Sequence, residues 1–227
     1  MDRALILIVD DNPDVRLFVR ISLEEEGFRV IEATNGIDGL ALFAKVQPKV
    51  VILDLSMGHP DGFEVCRRIR MSSSVPIIML TNRGEELDEA MCLAAGADDY
   101  ITKPVSARIL GLRVTTQLRH STISNDRSSK IMKSGILLLN TESHELTVGS
   151  IKVPLTRTEY DFLYLLMEQP ERVFTREQVI EAIGGSVGFS SDNLLDTHAS
   201  RLRLKIKGAG GPRMVAAVRG VGYRLLP

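Results

Sequence analysis

Val50-Val51-Ile52-Leu53-Asp54 decides the fold. Four aliphatic residues, three of them β-branched and with no polar alternation, describe a strand covered on both faces, as in a parallel sheet. The run ends on a carboxylate, and open α/β sheets bind ligands at the carboxyl ends of their strands. Leu5-Ile6-Leu7-Ile8-Val9 ends the same way, on Asp10-Asp11. Taken singly, each acid is as well explained as a helix cap or turn former. Together, three carboxylates at the ends of two neighbouring strands repel one another too strongly to persist without a cation. A divalent-metal site containing Asp54 is therefore expected.

Outward from that strand, strand patterns over 5–9, 28–33, 49–53, 76–80 and 99–102 alternate with helical patterns over 13–26, 36–46, 62–71, 85–95 and 106–119. Val15, Phe18, Val19, Ser22 and Leu23 form one stripe at helical spacing, with Pro13 suited to the first turn. Short links between alternating strands and helices imply a doubly wound, five-stranded parallel sheet with helices on both faces. Its carboxyl edge collects Thr81 and Lys103 beside the three acids. Singly these are a helix cap and a solvated strand end. Jointly, a carboxylate nucleophile, cation-binding acids, a hydroxyl and an ammonium suit phosphoryl transfer, in which charge on the phosphoryl oxygens must be neutralised and oriented.

A length of 227 residues allows one or two domains. A hydrophobic content of 44% with 25% charged residues is that of a soluble globular protein. No apolar run approaches the roughly 20 residues of a membrane span, and the N-terminus lacks a secretory pattern, so no membrane partner and a cytoplasmic location are expected. Cys66 and Cys92 lack metal or redox spacing and read as packing residues. Residues 1–120 carry 14 Lys+Arg against 18 Asp+Glu, a net −4, whereas the remainder carries 14 against 11, a net +3. From Asn193 onward there are seven basic residues and one acid, Asp196. An acidic front and a basic back indicate two domains, the second with a polyanionic partner.

The polar, Ser-rich stretch 121–132 reads as a flexible linker between domains 1–120 and 133–227. Beyond it, strand patterns at 136–139, 145–148 and 151–153 suggest a small antiparallel sheet. Thr156-Arg157-Thr158-Glu159 is a capping box opening a helix over 159–168 with Tyr160, Leu163, Leu166 and Met167 inward. A second helix covers 176–183 and a third 192–207. In the third, Leu195, Ala199, Leu202 and Ile206 make one inward stripe, leaving Asn193, Thr197, Ser200 and Leu204 outward, flanked by Asp196 and Arg201. His198, Arg203 and Lys205 fall toward the sides. Short polar groups and Arg on an outer face suit the DNA major groove. The closing hairpin, 214–218 and 223–226, has an Arg219-Gly220-Val221-Gly222 tip able to enter a minor groove.

ILIVDDNPDVR, VVILDLSMGHPDGFEVCRRIR, PIIMLTNRGEE and AAGADDYITKP resemble the receiver domain of two-component response regulators over essentially all of residues 1–120. The resemblance implies that Asp54 is the phospho-acceptor, with Mg2+ held by Asp10, Asp11, Asp54 and the Ser56 carbonyl. It also implies Thr81 as switch hydroxyl, Tyr100 as switch aromatic, Lys103 as the phosphate-pairing lysine and a cis Lys103-Pro104 bond. Phosphorylation would draw Thr81 toward the phosphoryl group and let Tyr100 turn inward. That would repack a face which, in this subfamily, forms a homodimer; Asp98, Asp99 and Arg113 stand at its expected charge pairs. Glu89, Ile109, Gly58 and Asn82 depart from the usual residues there and around the pocket, while Ser56 and Arg83 occupy positions that tune dephosphorylation.

LTRTEYDFLYLL, TREQVIEAI, DTHASRLRLKI and VRGVGYRL resemble the winged-helix domain of the OmpR/PhoB subfamily. This implies an α+β winged helix-turn-helix binding promoter direct repeats in double-stranded DNA. Asn193, Asp196, Thr197, His198, Ser200, Arg201, Arg203 and Arg219 would lie at the DNA interface, Arg201 reading a base, Arg203 and His198 touching phosphate and Arg219 entering the minor groove. Residues 184–191 resemble a loop that touches RNA polymerase. Asn193 and Leu204 replace usual basic residues, and Ala216-Ala217 usual polar ones. The implied function is a DNA-binding transcription regulator controlled by a sensor histidine kinase. It is not an enzyme apart from self-catalysed phosphotransfer to Asp54 and slow autodephosphorylation. An orphan regulator working without phosphorylation is the alternative. An aspartate-nucleophile phosphohydrolase is disfavoured because Ser56 stands where its second acid is needed. A nucleotide-binding oxidoreductase is disfavoured because Asp11-Asn12-Pro13-Asp14 replaces the glycines required after the first strand.

Overall fold

The computed structural model describes residues 3–82, 91–92, 94–122, 131–183 and 192–226. Two compact units divide between Leu118 and Arg119. The first contains β1 (Leu5–Val9), α1 (Pro13–Glu25), β2 (Arg29–Ala33), α2 (Gly36–Val46), β3 (Val50–Asp54), α3 (Gly62–Arg70), β4 (Ile77–Thr81), β5 (Asp99–Thr102) and α4 (Ala107–Thr122). Its sheet is wholly parallel in the order β2-β1-β3-β4-β5. The order reverses beside β1, so a crevice opens between the carboxyl ends of β1 and β3. Ile6 pairs with Val50 and Val9 with Leu53, which brings Asp10 alongside Asp54. β3 is buried at all five positions, as its unbroken aliphatic run requires. The helix expected over 85–95 falls mostly outside the described residues, although Met91-Cys92 and Ala94-Ala95 are helical.

Local chemistry fixes where these helices begin. The Asn12 side chain accepts from the Asp14 and Val15 amides, Asn35 from Asp38 and Asp61 from Glu64, so three loops leaving the carboxyl edge are tied into helix N-termini. Val19, Ser22 and Leu23 of the α1 stripe are buried, but Phe18, at its margin, is 40% exposed beside exposed Leu17 and Ile21. Cys66 and Cys92 are buried free thiols. At the opposite end of the sheet, Arg70 donates to the carbonyls of Gly96 and Val75 and pairs with buried Asp98 at 2.5 Å; Asp98 also accepts from the Ile77 amide.

The second unit begins with β6 (Ile131–Ser134), a strand that the linker reading of 121–132 overlapped. It forms an antiparallel sheet, β6-β7-β8-β9, with β7 (Leu137–Asn140), β8 (Glu145–Val148) and β9 (Ile151–Val153). Then come α5 (Arg157–Glu168), β10 (Phe174–Thr175), α6 (Arg176–Ile183), α7 (Asp192–Gly208), β11 (Val215–Val218) and β12 (Gly222–Leu225). The last two strands and β10 make a second sheet, β10-β12-β11. Tyr160, Phe162, Leu163, Leu166, Leu195, Ala199, Leu202, Ile206 and Tyr223 share one core, so the α7 stripe read from the sequence does face inward. The Phe162 and Tyr223 rings meet edge-on at 5.2 Å. Gly222 belongs to β12 rather than to the hairpin tip, and a Cβ there would lie 1.9 Å from the Phe174 carbonyl oxygen.

Gly62 opens α3 where a Cβ would come within 2.2 Å of the Asp54 carbonyl oxygen and 2.9 Å of the Leu55 Cα. Backbone cannot yield as a flexible side-chain end would, so Gly62→Ala is expected to destabilise the first unit by about 1–3 kcal/mol despite the better helix propensity of Ala. Urea unfolding followed by circular dichroism checks this; a rise in stability would mean that the backbone relaxes freely.

Candidate functional site

Three strand ends and the loops after them build the pocket. Carboxylate oxygens of Asp10, Asp11 and Asp54 lie within 4.8 Å of one another, with Asp10 and Asp54 buried and Asp11 exposed. Lys103, following β5, reaches across β4 to place its Nζ 2.9 Å from Asp10 Oδ2 and 2.8 Å from Asp54 Oδ1. The remaining oxygens are held from below: the Asn12 amide donates to Asp10 Oδ1 at 2.9 Å and the Ser56 amide to Asp54 Oδ2 at 3.1 Å. Burial, joined by the charges of Asp10 and Asp11, holds the Asp54 carboxyl above its ordinary range although Lys103 opposes it. Burial alone would lower Lys103, but its bonds to Asp54 and Asp10 prevail and hold the ammonium above its usual value. Lys103 thus meets two of the three carboxylates, leaving an excess negative charge among the described residues that suits a further cation.

Thr81 and Tyr100 are both buried, on adjacent strands, and Lys103-Pro104 is cis, as is His59-Pro60. At the pocket mouth the Asn82 amide lies 3.4 Å from Ser56 Oγ. Arg83 and Glu89 lie outside the described residues. Asp99 and Arg113, expected to pair between subunits, pair within the chain at 2.5 Å, both largely buried. Asp98 is taken by Arg70. All three thus have an ionic partner within the chain. Ile109 is exposed on the same helix as Arg113.

In the second unit, Asp196, Ser200, Leu204 and Lys207 of α7 are exposed and Thr197 is half-buried. Arg219 is exposed at the hairpin tip. The side chain of Asn193 and the loop 184–191 lie outside the described residues. His198 is fully buried, so the expected phosphate contact is corrected: it sits three residues after Leu195 and one before Ala199, on the core side of the helix. Arg201 is also turned inward, 13% exposed, with Nη2 3.3 Å from Glu159 Oε1. Arg203 donates to the Val215 carbonyl at 2.8 Å and stands over the Tyr223 ring. The Asp196 carboxylate accepts from the Tyr223 hydroxyl and pairs with Arg176 at 3.2 Å, bonds that outweigh its partial burial and hold it below the usual range. The inward roles of Glu159, Arg176 and Tyr223 had no sequence signal beyond the capping box at Glu159, because they depend on which helices meet.

Residues 6–115 match the response regulator receiver domain, and residues 150–225 match the C-terminal domain of transcriptional regulatory proteins. The response regulator MprA of Mycobacterium avium is 38% identical over 97% of this chain and 97% of its own. The transcriptional regulatory protein AfsQ1 of Streptomyces coelicolor is 34% identical over 98% of each. The chain therefore belongs to the two-component response regulators, as a phosphorylation-dependent transcription regulator with a receiver and a DNA-binding domain. Within that family it is of the OmpR/PhoB type. The solved structure of DrrB, a Thermotoga maritima OmpR/PhoB homologue, covers 100% of both chains at 27% identity with a TM-score of 0.53. Among the described residues, no helix is long and apolar enough to cross a membrane.

Burial raises the Asp99 carboxyl to about 6, against the pull of Arg113 and the Tyr100 amide. A folded-state value above the ordinary 3.8 favours folding at low pH, and that contribution is lost as pH rises through about 6. Arg113→Met leaves this acid unpaired. The stability deficit should be about 3–5 kcal/mol near pH 8 and shrink as pH falls toward 6, because Asp99 without Arg113 takes up its proton at a higher pH than the paired acid. Denaturant unfolding across pH checks it; a deficit independent of pH would remove Asp99 from the explanation.

Proposed function

We propose that Asp54 is the phospho-acceptor and that the receiver catalyses its own phosphorylation. An Asp54 carboxylate oxygen attacks the phosphorus of a phosphohistidine donor on a sensor histidine kinase. The P–N bond breaks, leaving an acyl phosphate on Asp54 and returning the electron pair to the imidazole. Lys103 carries this reading: its ammonium is already seated between Asp10 and Asp54, where it can balance charge gathering on the phosphoryl oxygens. The donor set fits Mg2+, since hard carboxylate oxygens of Asp10, Asp11 and Asp54 converge with the Ser56 carbonyl in sequence reach. When bound there, the ion supplies further neutralisation of the phosphoryl oxygens. Hydrolysis of the acyl phosphate is slow self-catalysis, with Ser56 and Asn82 at the pocket mouth.

The added dianion would draw the Thr81 hydroxyl and let Tyr100 follow, repacking β5 and α4 and promoting a homodimer. Because Asp99 and Arg113 pair internally, exposed Ile109 favours apolar contacts in that dimer. The output is binding to promoter direct repeats in double-stranded DNA through the outer face of α7, with Thr197, Ser200 and Asn193, and through Arg219 at the wing. Contact with RNA polymerase and work in the cytoplasm belong to the same reading. Acetyl phosphate tests it directly. The full chain should gain one phosphoryl adduct by intact mass in Mg2+ and little in its absence. Asp54→Ala should abolish the adduct while keeping basal DNA affinity, whereas labelling retained in that variant would assign another acceptor.

A further inference from the structure

Glu159 is fully buried in the second unit, on a helix that carries none of the residues proposed to face DNA. Its backbone and side chain are fixed by the capping box. The Thr156 hydroxyl accepts from the Glu159 amide at 3.3 Å, and Glu159 Oε2 accepts from the Thr156 amide at 2.9 Å. From that seat the carboxylate holds two cations of α7 one turn apart. Oε1 lies 3.3 Å from Arg201 Nη2, and Oε2 lies 2.6 Å from Lys205 Nζ, which also donates to the Pro154 carbonyl at 2.8 Å. Burial works against the charge on Glu159, but Arg201 and Lys205 outweigh it and keep the carboxyl ionised, below its ordinary range.

We propose that Glu159 is a positioning residue for DNA reading: by gripping Arg201 and Lys205 it fixes the rotation of α7 about its axis and withholds two cations from indiscriminate phosphate binding. The inference rests on the reading of α7 as the DNA-contacting helix. Helix–helix packing alone tolerates rotation by sliding side chains past one another, whereas a carboxylate fixed on a rigid N-terminal turn, hydrogen-bonded to Lys205 and ion-paired with Arg201, does not. A free arginine or lysine finds phosphate on any duplex, so each cation released adds affinity without information. Glu159 in this way exchanges raw affinity for discrimination.

The test uses the full chain and a duplex selected by it from a random pool, against a scrambled duplex, with affinities measured by fluorescence anisotropy across a salt series. Glu159→Gln keeps the shape and the capping acceptor but loses the charge. Affinity for the scrambled duplex should rise, the selected-to-scrambled ratio should fall about tenfold, and the salt slope should steepen by about one to two. A ratio and slope unchanged from wild type, or both affinities lowered in proportion, would overturn the role of Glu159 and leave it a packing residue. Should Glu159→Gln fail to fold, Arg201→Lys decides. That variant keeps the cation but moves the nitrogen that meets Glu159 Oε1, so it should lower the ratio with little change in slope; a wild-type ratio would overturn the proposal. Failure of the wild type to select any sequence would instead overturn the DNA reading of α7, and this inference with it.

Discussion

Repulsion among three carboxylates at one sheet edge is the constraint on which the receiver is built. Asp10, Asp11 and Asp54 are brought together by the register of β1 against β3, and no side-chain rotation can separate the two buried ones. Lys103 answers part of that repulsion from β5, which requires the chain to cross β4 before the ammonium can arrive. The sheet order is therefore an electrostatic statement as much as a packing one. β3 lies between the two acids' own loops and the strand that supplies the hydroxyl of Thr81, so any change in charge at Asp54 is felt by neighbours on both sides.

At the other end of the strands a second set of ions does the opposite work. Arg70 closes on Asp98 and on the Gly96 and Val75 carbonyls, and Arg113 closes on Asp99. These pairs are largely buried, which makes them costly to break. The contrast separates the two kinds of charge in this domain. Those at the carboxyl edge are acids in excess of the Lys103 ammonium that reaches them, while those at the amino edge are paired and tie β4 and β5 together.

Most of the first unit was legible because β3 and β4 are continuous aliphatic runs whose ends carry the chemistry, and periodicity of two against 3.6 separates strands from helices there. The exposure of Phe18 was not legible, because a helical stripe identifies a face without saying how wide the covered part is. β6 was hidden beneath a polar linker composition, since only Ser134 in it is buried and no alternation of apolar residues marks it. Helix α7 shows the deeper limit. Its inward aliphatic stripe was legible, but at 100° per residue His198 lies beside Leu195 and Ala199, and Arg201 beside Leu202 and Lys205. For Arg201 and Lys205 the inward turn is toward Glu159, which comes from another helix and leaves no mark in the pattern of α7 itself.

Asp196, Tyr223 and Arg176 come from α7, from the wing strand and from the start of α6, and they bind one another before any nucleic acid arrives. On the proposed reading of α7, a DNA ligand meets a surface whose three parts have already lost their independent motion during folding. Little ordering entropy is left to oppose association. Encounter with a duplex should be limited by diffusion and long-range charge, and residence time by how well a given sequence matches a rigid template.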